Sequence, residues 1–184
     1  MMFNGKVNNY KSMSNNKQVN TSKMEEIYQK IADTVNETIL EDWDKVYVYA
    51  SIREGFQEVF FYYYPTDKQY PIYSLDIIDY FDVDEDLLDE LRYKLTEHFE
   101  ELWEEFKNQG QEVWSSLTFI LNNDGTFKID YNYEDLLQSE NDQYERMIIW
   151  RYNYLNVKPS QERKRDNEIL ESYIKSQQEN TAKE

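Results

Sequence analysis

From Leu88 to Phe106 the apolar residues Leu88, Leu91, Leu95, Phe99, Leu102 and Phe106 step by three or four, which commits roughly twenty residues to one amphipathic helix. Asp82-Val83-Asp84-Glu85 precedes it with the spacing of a capping box and with acids at the positive helix end, and Gly110 stops it. The rest of the chain must supply an apolar layer to cover that stripe. Further segments have the required periodicity. Ile27, Ile31, Val35 and Ile39 recur every four residues behind Ser22-Lys23-Met24-Glu25, a second capping-box spacing, and predict an N-terminal helix. From Trp43 the period drops to two, with Val46, Val48, Ala50 and Ile52 on one face and Tyr47 and Tyr49 on the other. Arg53-Glu54-Gly55 supplies a turn, and Glu58 to Tyr64 resumes as a strand that stops at Pro65, with a short third strand expected near Ile72 to Ser74. A second hairpin runs from Ser116 to Leu121 and from Thr126 to Tyr133 around Asn123-Asp124-Gly125. There Leu117, Phe119 and Leu121 face one way, as do Phe127, Ile129, Tyr131 and Tyr133.

Two helices are expected beyond the hairpins, one near Asp142 to Asn153 that Pro159 closes, and a polar one around Glu162 to Ser176. The reading is an α+β fold: an antiparallel sheet of two hairpins, four or five strands in all, packed against the long helix, with N- and C-terminal helices. One domain is the default at 184 residues. Its expected parts are a disordered tail over 1–23, rich in Asn, Ser and Lys, a folded domain over 24–160, and a C-terminal polar helix and tail over 161–184.

A formal charge of −17 would raise the question of disorder, but 16% of the residues are aromatic, which disordered chains are not. With no Cys, disulfide frameworks, thiol nucleophiles and thiolate metal sites are all excluded. No run is apolar enough for a membrane span and no secretory signal opens the chain, so a soluble, cytoplasmic protein with no membrane partner is expected. Negative charge repels phosphate backbones, which disfavours direct nucleic-acid binding and favours a basic protein partner.

The charge is concentrated. Asp76 to Glu105 holds 13 acids against Arg92 and Lys94, a cost in like-charge repulsion along a helix that hints at a use. Asp82-x-Asp84-x-Asp86 superficially resembles the start of a calcium loop, but Leu87 stands where glycine is needed and Tyr93 where glutamate is needed. No metal or cofactor is expected. The catalytic inventory is equally thin, since the single His98 lies beside the apolar stripe and no P-loop, dinucleotide glycine cluster or H-E-x-x-H is present. The chain reads as a non-enzyme, since paired carboxylates are too abundant here to single out a catalytic pair. The contact set expected for a basic partner combines acids of the long helix, Asp86, Asp89, Glu97, Glu100, Glu101 and Glu104, with the strand tyrosines Tyr47, Tyr49, Tyr62, Tyr131 and Tyr133.

Six segments carry a resemblance in the same order along residues 24 to 160. They are MEEIYQKIAD from Met24, WDKVYVYA from Trp43, VFFYY from Val59, WSSLTF from Trp114, GTFKIDYNY from Gly125 and RMIIWRY from Arg146. The chain resembles the YezG family of bacterial immunity proteins. The resemblance implies a cytoplasmic antitoxin that binds and neutralises a cognate nuclease toxin, whose basic nuclease domain sits at the C-terminus of a protein exported by type VII secretion. It carries over no catalytic residues. A chaperone or adaptor that keeps an exported toxin secretion-competent without inhibiting it is the alternative.

Overall fold

The structure, a computed structural model, describes residues 4–7 and 21–181. Contacts divide the chain into two compact units, Met1–Glu134 and Asp135–Glu184. The core shows why: the main apolar cluster draws its members from residues 24 to 133, and none comes from the two C-terminal helices.

In the first unit, the elements run β1 (Asn4–Val7), α1 (Thr21–Thr38), β2 (Trp43–Arg53), β3 (Phe56–Pro65), β4 (Ile72–Tyr73), a short 3₁₀ turn and α2 (Ile77–Tyr80), α3 (Glu85–Asn108), β5 (Ser116–Asn122) and β6 (Thr126–Asn132). The sheet order is β1-β6-β5-β2-β3-β4. Strands β2 to β6 pair antiparallel, and β1 adds a parallel neighbour to β6, Asn4 opposite Thr126 and Val7 opposite Ile129. The fold is α+β. The expectation of no fixed structure over 1–23 meets β1 at residues 4–7 and the first turn of α1 at 21–23; the stretch between lies outside the described residues. No apolar alternation marks NGKV, so only its partner edge reveals β1 as a strand.

Alternation dictates the sheet's two faces. Val46, Val48, Ala50 and Ile52 of β2, with Phe61 and Tyr63 of β3 and Leu117, Phe119 and Leu121 of β5, enter the core that α1 and α3 cover. α1 contributes Met24, Ile27, Ile31 and Val35, and α3 contributes Leu88, Leu95, Phe99, Leu102 and Phe106. The helices run antiparallel, joined by ion pairs Lys23–Glu105 at 2.8 Å, Lys30–Glu101 at 2.9 Å and Lys94–Glu37 at 3.3 Å. The β2–β3 turn needs only Glu54 and Gly55, with Gly55 at φ +74°, a backbone region glycine enters without steric cost.

The caps differ in detail from the expected boxes. Asp84, not Asp82, caps α3, its carboxylate accepting from the Asp86 amide at 3.0 Å. Ser22 lies inside the first turn of α1, because that helix already includes Thr21. In the second unit, α4 (Gln143–Leu155) opens on a capping box between Asp142 and Glu145 and ends at Asn156, whose φ is +54°. α5 (Lys164–Thr181) follows and buries Asp166 and Leu170. The Asp166 carboxylate accepts from the Tyr144 hydroxyl at 2.6 Å, which pins α5 to α4 and raises the Tyr144 pKa. No helix among the described residues is long and apolar enough to cross a membrane.

Candidate functional site

Charge separates between the units. Residues 135–184 contain 8 bases and 10 acids, for −2, which leaves 12 bases and 27 acids, for −15, on residues 1–134. α3 carries the densest part. Its buried stripe holds one side against the sheet, so residues half a turn away project outward. Asp86, Glu90, Tyr93 and Glu97, spaced four, three and four apart, form an exposed line on that outward side, with Glu104 continuing it.

The six acids expected to face a partner all lie on α3, but their surroundings divide them. Asp89 is paired with Arg92 at 3.1 Å, Glu101 with Lys30 at 2.9 Å, and Glu104 with Lys107 at 3.8 Å. Glu100 accepts a hydrogen bond from the Gln57 amide. Asp86 and Glu97 carry no ion pair among the described residues, and the same is true of Glu90, which the sequence reading passed over although it falls on the same helical spacing. Surface ion pairs such as these contribute little to stability, but a neutralised carboxylate projects less field toward an incoming cation. Glu105, the last acid of the run, is buried and turned toward α1. A hydrogen bond from Gln109 and the Lys23 ammonium hold its carboxyl below the usual range.

The tyrosines divide by sheet face. Tyr47 and Tyr62 lie half-buried on the face opposite the helices, Tyr47 edge-on to Tyr64 at 6.2 Å and Tyr62 stacked on Tyr73 at 4.8 Å. Tyr49 is on that face too, but it is 8% exposed and stacked on Phe60 at 5.1 Å, so little of it can meet a partner. Tyr131 and Tyr133 are half-buried on the other face: both pack against the core from the helix-covered side, where the Tyr131 hydroxyl lies 3.0 Å from that of Tyr28. Alternation had put them on the face of Phe127 and Ile129, and that pattern prevailed over the general preference of tyrosine for interfaces. Among the exposed aromatics that the reading passed over, with Tyr70, Tyr80 and Tyr144, is Tyr93, 68% exposed on α3.

His98 sits half-buried on α3, with Nε2 buried and without a hydrogen-bond partner among the described residues. Burial first, and the nearby Lys30 ammonium second, push its pKa below the ordinary 6.5. Between the folded value and 6.5 the unfolded chain binds more protons, so stability falls as pH drops through that window and is unaffected by His98 above it. As pH drops below 6.5 the urea unfolding midpoint of the wild type should therefore fall more steeply than that of His98→Asn; parallel pH profiles would refute this. Among the described residues no group of three or more His, Cys, Asp or Glu is arranged to hold a metal ion.

Comparison with known proteins places this geometry. The model of the family described as "Immunity protein YezG-like" matches residues 24–170. "Immunity protein YezG" of Bacillus spizizenii is 42% identical over 158 residues, 86% of this chain and 97% of the relative. The protein of the same name from Bacillus subtilis is 38% identical over 151 residues, covering 82% and 99%. "Type VII secretion system protein EsaG" of Staphylococcus aureus is 31% identical over 158 residues, covering 85% and 97%. The family match takes in α1, the antiparallel sheet, the acidic α3 and all of α4, while β1 lies outside it. On this agreement across nearly the whole length of its relatives, the chain belongs to the YezG-like immunity protein family.

Proposed function

We propose that this chain is a cytoplasmic antitoxin that binds and neutralises a cognate secreted nuclease toxin in the cell that makes both. The observation that carries the reading is the outward face of α3 in a member of an immunity protein family, where Asp86, Glu90 and Glu97 stand without an ion pair among the described residues. A nuclease must attract phosphate and so presents a cationic groove. The same groove attracts a carboxylate-covered helix. Exposed acids accelerate encounter, and desolvated aromatics slow dissociation, so Asp86, Asp89, Glu97, Glu100, Glu101 and Glu104 have a steering role, weighted toward the unpaired ones, while Tyr47 and Tyr62 remain contact candidates.

The test is co-expression with the C-terminal nuclease domain of the cognate toxin. Intact chromosomal DNA and cell survival are the expected result. Continued DNA degradation in cells that contain the folded antitoxin would refute the immunity role. The name of the Staphylococcus aureus relative, a type VII secretion system protein, favours a second reading, a chaperone that keeps the toxin competent for export. Nuclease activity of the purified complex separates the two: an inactive complex supports immunity, and a fully active one supports the chaperone.

A further inference from the structure

We propose that Glu90, Tyr93 and Glu97 form a clamp for one cationic side chain of the partner, with an arginine or lysine head group seated on the Tyr93 ring between Glu90 and Glu97. The proposal rests on the reading of the partner as a basic nuclease domain and assigns the part of this chain that holds it.

Tyr93 occupies the outward side of α3, 68% exposed, and makes no hydrogen bond or ring contact among the described residues. A ring so placed does nothing for the core. Its helical neighbours at one turn's distance are Asp89, Glu90 and Glu97, with Asp86 two turns back. The cations that could have neutralised this ridge are directed elsewhere: Arg92 reaches Asp89 at 3.1 Å and Lys94 reaches Glu37 at 3.3 Å. Glu90 and Glu97, one turn to either side of Tyr93, are therefore left without a neutralising cation among the described residues. An aromatic face flanked by carboxylates suits a guanidinium, which can stack on the ring while its N–H groups meet the acids. Charge complementarity thus fixes the occupant as a basic side chain.

The measurement is association and dissociation of the full chain with a catalytically inactive form of the cognate toxin's nuclease domain, by surface plasmon resonance at physiological salt. Tyr93→Ala is expected to dissociate about tenfold faster, with association nearly unchanged. Tyr93→Phe, which keeps the ring, should retain slow dissociation. Glu90→Gln with Glu97→Gln should dissociate faster as well, whereas Glu101→Gln, whose carboxylate is already paired with Lys30 at 2.9 Å, should not. If the wild type binds and inhibits the nuclease while Tyr93→Ala and the Glu90/Glu97 pair dissociate at the wild-type rate, the clamp is wrong and the partner reading stands. If the wild type does not bind at all, both fall together.

Discussion

Phe99→Ala should destabilise the first unit by about 3–5 kcal/mol, the largest loss expected from any single side chain on α3. Phe99 is fully buried and belongs to the cluster that joins α1, α3 and the sheet. Truncation removes the transfer free energy of the ring and leaves a cavity that the surrounding β-branched and aromatic side chains cannot collapse into without strain. Total stability of an ordinary domain is only about 5–15 kcal/mol, so this one change approaches the unfolding threshold. Urea unfolding followed by far-ultraviolet circular dichroism would measure it, with the wild-type slope retained. A loss below about 1 kcal/mol would show that the α3 stripe is not the centre of the core. The contrast is Tyr93→Ala on the opposite side of the same helix, which should shift stability by no more than about 0.5 kcal/mol.

Reversing Asp86, Glu90 and Glu97 to lysine changes the formal charge by +6, from −17 to −11. Association with the nuclease domain should then slow by about 10–100-fold at low salt, since steering by a surface potential commonly supplies 10–10³ in rate. The difference should narrow as salt rises, because about 0.15 M ions screen exposed charges beyond roughly 8 Å. Stopped-flow association at several ionic strengths reads both effects. Equal rates for wild type and variant at low salt would remove α3 from the encounter surface. Reversal of the paired acids Asp89 and Glu101 is a useful comparison, because each also strands a cation, Arg92 or Lys30, and so disturbs the fold as well as the field.

The sequence by itself determined the elements and their inward faces. The stripe from Leu88 to Phe106, the alternation of Val46, Val48 and Ala50, and the Asn123-Asp124-Gly125 turn are local patterns, and side-chain direction along a helix or strand follows from backbone period alone. It also put the negative charge on α3, and its resemblance pointed to the right family. Only the tertiary structure decided which acids remain without a partner. Lys30 and Glu101 are 71 residues apart in the chain and 2.9 Å apart in space, and Lys94 pairs with Glu37 across a separation of 57 residues. Those pairings arise from the antiparallel packing of α1 on α3, which no local period records. The same holds for β1, whose residues form a strand only because β6 offers its edge. Tyr93 was within reach of the sequence, since a stripe through Leu91 and Leu95 turns position 93 outward, and the structure adds that its ring is 68% exposed.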